Sequence, residues 1–196
     1  MDEHARPPGS PPLNVAGVEV HPPTTEAQAR RLADHGVLAD TPDGLLRVWQ
    51  LTTETWEATV QAARALSDDQ LHERVNGEWA FVETLRHLVM VTDAWVRRLV
   101  LAVDQPFHPI GIAPHFIPDP AAMGLDPDAR PAFDEVVEVR RDRVAQVEAA
   151  IASLESAELL ECAVHPWTRL GAFQVVIGEE WAHHSFATRD LAVLAR

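Results

Sequence analysis

Four stretches of the chain repeat apolar residues at alternating steps of three and four, the spacing that lines one face of a helix. The first is opened by Thr41 as N-cap and Pro42 in the first turn and runs to about Leu66, with Leu45, Trp49, Thr52, Trp56, Val60 and Ala63 on one side. After an Asn76-Gly77 turn the second runs from Ala80 to Val103 through Phe81, Leu85, Leu88, Val91, Trp95 and Leu99. The third, from Pro131 to Leu154, carries Phe133, Val137, Arg140, Val144, Val147, Ile151 and Leu154. The fourth, from Thr168 to Leu194, carries Leu170, Phe173, Ile177, Glu180, His184, Ala187, Leu191 and Leu194. No stretch alternates strictly enough to predict a strand, so the pattern predicts an all-α four-helix bundle.

Two segments lie outside this pattern. Residues 1–23 are rich in proline and nearly free of apolar periodicity, which predicts an extended or mobile arm. Thr25 and Gln28 form a capping-box signature and Gly36 a stop, enclosing a short helix from Glu26 to His35. The chain thus divides into an arm with a short helix, 1–40, and a bundle, 41–196. The other segment is the proline-punctuated connection from Asp104 to Arg130, long enough to form a pocket wall or to cross a bundle end. It implies that the second and third helices need not be simple neighbours. His108 and His115 on it are read as wall residues, not ligands.

Charge narrows the partners. With 16 basic residues, all arginine, against 30 acidic ones, the formal charge is −14, which disfavours nucleic acid and anionic membranes. The single cysteine, Cys162, has no internal partner and is expected to be structural. No apolar run approaches a membrane span and the first residues do not resemble a signal peptide, so a soluble cytoplasmic protein is expected.

The chemistry concentrates on the fourth helix. Glu180 and His184 interrupt a stripe that is otherwise apolar, and a buried carboxylate must be paired, protonated or bound to metal. Residues four apart on a helix can converge on one cation. Glu179 and His183 have the same spacing, but their face, Ala172, Val176, Glu179, His183, Phe186 and Asp190, is more polar. Periodicity therefore assigns Glu180 and His184 to the interior. His87, at the edge of the second helix's stripe, completes a His, Glu, His set, and three protein ligands leave one coordination position open. The same set suits zinc or Fe(II), so it does not name the metal. Arg140 is the intruder of the third helix. It either snorkels to the bundle end or faces the same cavity, pairing with Glu180 or orienting an anionic substrate.

The runs Glu78-Trp79-Ala80-Phe81-Val82-Glu83-Thr84-Leu85-Arg86-His87-Leu88 and Glu179-Glu180-Trp181-Ala182-His183-His184, followed by Arg189-Asp190-Leu191, resemble the DinB-like metal-binding four-helix bundles. The resemblance covers about Thr41 to Leu194. In ligand set it is nearest the mycothiol-dependent maleylpyruvate isomerase type, and it implies zinc or another divalent metal on His87, Glu180 and His184. It further implies a low-molecular-weight thiol such as mycothiol as cofactor, used for S-transfer, conjugation or thiol-assisted isomerisation of a small electrophile. The family's capping serine is replaced by Ala80, which cannot supply a side-chain cap three residues before Glu83. The alternatives are a metal-dependent hydrolase of a small amide-like substrate and a non-catalytic bundle that binds a small molecule. A homodimer is a further expectation.

Overall fold

The computed structural model describes residues 39–164 and 166–195, together with the backbone of two short strands, β1 (Leu13–Val15) and β2 (Val18–Val20). These pair antiparallel, with Val15 opposite Val18. The rest of the arm and the short helix expected from Glu26 to His35 lie outside the described residues.

The first long helix, α1 (Pro42–Ala63), begins where the sequence predicts: Thr41 Oγ1 accepts from the Gly44 N–H at 3.2 Å. A single turn, α2 (Asp68–Leu71), follows behind a full capping box made by Ser67 and Gln70. Asn76 and Gly77, both with positive φ, then reverse the chain. The second long helix, α3 (Phe81–Thr92), has half a capping box: Glu83 Oε2 accepts from the Ala80 N–H at 2.9 Å, while Ala80 offers no oxygen in return.

The second helix is shorter in α form than expected. At Asp93 it widens into a π-turn, Asp93–Arg97. The Asp93 side chain is fully buried there and accepts from Arg143 Nε at 2.6 Å and from the His108 N–H at 2.8 Å. A carboxylate taken out of water needs such donors, and π-turns accommodate this kind of local rearrangement.

The third long helix, α4 (Phe133–Ala152), is followed by a short turn, α5 (Ser156–Leu159), and a small hairpin of β3 (Cys162–Val164) and β4 (Trp167–Thr168). This hairpin and the β1–β2 ribbon are strands that the pattern did not predict. The last helix, α6 (Arg169–Leu194), is capped by Thr168, whose Oγ1 accepts from the Gly171 N–H at 3.1 Å.

Helices α1 and α3 each pack against both α4 and α6, which sets α1 diagonally opposite α3. The second and third long helices are thus direct neighbours despite the long connection between them. That connection lies against the bundle, burying Ile110, Ile117 and Leu125.

Tryptophans anchor the interior in both apolar clusters, around Trp49, Trp95 and Phe173 in one and Trp56, Phe81 and Leu85 in the other. Three indole N–H groups reach across helix interfaces: Trp49 to the Val144 carbonyl and Trp56 to the Glu180 carbonyl, both at 3.2 Å, and Trp181 to Thr52 Oγ1 at 2.9 Å. A buried tryptophan truncated to alanine costs about 3–5 kcal/mol, so these three residues fix how the helices meet.

Candidate metal centre

Two Glu-x-x-x-His pairs lie side by side on α6. Successive residues of a helix point about 100° apart, so each pair addresses a different neighbour. Glu179 and His183 face α3, where His87 stands. Glu180 and His184 face α1 and α4.

The set expected from the sequence, His87, Glu180 and His184, is therefore divided. Glu180 is paired with Arg140, whose Nη1 and Nη2 donate to its two carboxylate oxygens at 3.0 and 2.9 Å. A carboxylate engaged through both oxygens by a buried guanidinium is satisfied without a metal. His184 Nε2 lies 2.8 Å from Thr59 Oγ1, and its ring stands edge-on to Trp56 at 5.0 Å. Arg140 also covers the Trp56 ring, with Cζ 4.9 Å from its centroid. Its guanidinium is thus held by Glu180 and Trp56, and not beside His87.

The group that converges is His87, Glu179 and His183, whose donor atoms all lie within 4.8 Å of one another. His87 Nε2 is 3.6 Å from Glu179 Oε2, and His183 Nε2 is 3.3 Å from the same oxygen. A tetrahedral centre with bonds near 2.05 Å spaces its donors about 3.3 Å apart, so the pocket is close to the size that a cation requires.

Protonation points the same way. His87 Nδ1 lies 3.3 Å from the Ile112 carbonyl. A carbonyl only accepts, so Nδ1 carries the proton and Nε2 turns its lone pair towards Glu179. Burial pushes the His87 pKa below its ordinary value, against the opposing pull of Glu179, so the ring is neutral at neutral pH. Burial would raise the Glu179 carboxyl, but the polar contact with His183 outweighs it and holds the group down to about 2. A neutral imidazole and a charged carboxylate, both acceptors, face each other across 3.6 Å, and a cation between them is the natural complement. The donor set fits a divalent metal.

Aromatic rings wall the site. Trp79 lies 4.6 Å from the His87 ring and stacks on His183 at 6.0 Å, while Phe186 stands edge-on to His183 at 6.1 Å. Trp79 hangs on a segment tied to α6 by Glu78, which accepts from Arg189 Nη2 at 2.7 Å. The sequence pattern did not single out Trp79, Phe186 or the Ile112 carbonyl. Glu179 and His183 were visible as the rival pair.

The other sequence candidates sit elsewhere. His108 Nδ1 accepts from the Ile110 N–H at 3.2 Å, and His115 is exposed on the same connection. Cys162 is an exposed thiol on β3. A groove of about 620 Å³ between α1 and α4 is lined by Trp56 and Arg140 but by none of the three converging residues.

A four-helix bundle with a His, Glu, His cluster drawn from two of its helices belongs to the class of metal-site bundles. More specifically, the family model described as the DinB superfamily matches residues 51–187, and the chain belongs to that superfamily. No curated protein and no solved structure matches the chain. No helix among the described residues is long and apolar enough to cross a membrane.

Proposed function

We propose that the protein is a divalent-metal enzyme, with zinc on His87, Glu179 and His183, that uses a low-molecular-weight thiol such as mycothiol to attack a small electrophile. The observation that carries this reading is the convergence of three donors, with His87 Nδ1 turned to the Ile112 carbonyl and Nε2 to Glu179. When bound, the ion supplies positive charge that stabilises the anionic form of a coordinated thiol at neutral pH.

The chain's own residues would do the rest. Glu179 contributes one negative charge, which tempers the acidity of the centre and favours a nucleophilic over a strongly polarising role. The rings of Trp79 and Phe186 shield the approach from water and offer apolar surface to the thiol or its electrophile. Cys162 lies on an exposed hairpin and is not one of the converging residues, which supports an added thiol as the source of sulfur. S-transfer, conjugation and thiol-assisted isomerisation share this first step.

The test uses the full chain purified without a metal-affinity tag. Elemental analysis should find one zinc per chain, retained by His184→Ala and lost by His183→Ala. The zinc-loaded protein should then consume electrophiles only when mycothiol or a comparable thiol is added. Turnover without thiol would replace the reading with metal-dependent hydrolysis, and a wild type that takes up no zinc would leave a non-catalytic bundle.

A further inference from the structure

Arg86 precedes His87 on α3 and is almost fully buried. Its donors go to three backbone carbonyls of the connection that follows α3: Nε to Ile110 at 2.7 Å, Nη1 to Ala129 at 2.5 Å and Nη2 to Asp126 at 2.9 Å. Charge-assisted bonds of this kind are the strong ones, and a planar guanidinium fixes three acceptors at once in a way that an ammonium cannot. One side chain therefore gathers both ends of a segment some twenty residues long.

The clamped segment reaches back to the metal centre. Its Ile112 N–H points at the Arg86 carbonyl at 3.4 Å, and its Ile112 carbonyl accepts from His87 Nδ1 at 3.3 Å. Gly111 permits this approach: a Cβ there would stand 3.0 Å from Leu125 Cδ2 and 3.2 Å from Met90 Cβ on α3. The segment thus lies close on the helix, where even a methyl group at 111 would press on its neighbours.

We propose that Arg86 is a positioning residue for the metal centre, holding the Ile112 carbonyl against His87 Nδ1 so that Nε2 stays unprotonated and directed at Glu179 and His183. The inference rests on the metal-site reading above. Without the clamp, the carbonyl is free to drift and the imidazole to adopt the other tautomer, which places a proton where the metal must bind. Outer partners of this kind are worth 10–100-fold in metal affinity.

The experiment compares wild type with Arg86→Lys and Arg86→Gln as full-length chains. Long-range proton–nitrogen spectra of the histidine-labelled, metal-free protein, recorded above the imidazole titration range, read the His87 tautomer. Competition with a chromophoric chelator reads the zinc Kd. The expected result is a wild-type His87 protonated on Nδ1. Both variants should keep their helix content, show a mixed tautomer and bind zinc roughly 10–100-fold more weakly. A purely structural role would lower the melting temperature and move neither readout, and a folded variant with unchanged tautomer and unchanged zinc Kd overturns the proposal. If the wild type takes up no zinc, the metal reading fails separately, and the tautomer comparison still decides the role of Arg86. Should neither Arg86 variant fold, Gly111→Val drives a branched side chain against Met90 and the His108 carbonyl with the guanidinium intact, and an unchanged His87 tautomer in that variant overturns the linkage.

Discussion

Glu180→Gln separates the two Glu-His pairs of α6 by experiment. The substitution leaves the Arg140 guanidinium, buried beside Trp56, without its counter-charge. Removing one member of a buried pair costs about 3–5 kcal/mol, because the remaining charge stays out of water. Glutamine still accepts one of the two hydrogen bonds now at 3.0 and 2.9 Å, and the Trp56 ring still faces the cation, so the lower end, about 3 kcal/mol, is expected. For a chain of this size that is a fall of roughly 6–12 °C in Tm, or about 1.5 M in urea midpoint at an m-value near 2 kcal/mol/M. Arg140→Met in the same chain should restore much of the loss, since apolar replacement of a buried pair is often neutral. Zinc content should not change in Glu180→Gln. In Glu179→Gln it should collapse, with affinity down by more than ~100-fold, because loss of an outer partner alone costs up to that much. Thermal and urea melts beside elemental analysis make the comparison. A Glu180→Gln protein that loses its metal while melting normally would refute the assignment and return the centre to Glu180 and His184.

Three further outcomes follow from the geometry. Glu83 is half-buried, which alone would raise its pKa, but the Arg74 guanidinium and the Ala80 N–H together hold it below its ordinary value. Its contribution, about 1 kcal/mol after discount for the exposed Arg74, should therefore be present above the normal carboxylate range. It should be lost as pH falls through the depressed folded value, and urea melts of wild type and Glu83→Gln should converge in acid. Cobalt(II) added to the protein should quench Trp79, whose ring lies 4.6 Å from His87; Trp79→Phe should remove most of the metal-dependent change in emission, and an undiminished change would place the ion elsewhere. Cys162 is exposed, so a thiol reagent should label one site per folded chain with no loss of zinc, whereas zinc release on labelling would make the thiol a ligand.

The bundle was legible because α1 and α4 each turn one apolar stripe inward, α3 is a long apolar run, and Thr41, Asn76 and Gly77 mark boundaries by their own chemistry. His87 was legible as a titratable residue within the apolar run of α3, where it is buried. The rotation of α6 was not. From Val175 to Ala182 every residue of that helix is buried, and a helix enclosed on all sides carries no stripe from which an inward face can be read. Periodicity placed Glu180 in the interior, where it is buried, but Glu179 is buried as well, and it is Glu179 and His183 that meet His87. The signal that does discriminate lay on α4. Arg140 stands in an apolar stripe, and a buried guanidinium requires a carboxylate more strictly than a metal site requires any particular one of two glutamates.

That requirement explains why α6 sits as it does. Turning the helix by one residue, about 100°, would bring Glu180 and His184 towards His87, a donor set as good as His87, Glu179 and His183. It would also strip Arg140 of its partner at a cost of several kcal/mol, and break the contacts of Thr59 with His184 and of the Trp56 indole with the Glu180 carbonyl. Nothing on α3 replaces those losses, because Arg86 is already committed to the connection it clamps. The ion pair on one side of the helix thus selects which Glu-His pair is presented on the other. In Glu180→Gln/Arg140→Met, where that constraint is absent, α6 is held in register by packing and by the contacts of Trp56 with the Glu180 carbonyl, Trp181 with Thr52 and His184 with Thr59. If the pair sets the register, the cobalt(II) spectrum of that double variant should broaden or split relative to wild type; a spectrum identical to wild type would assign the register to packing.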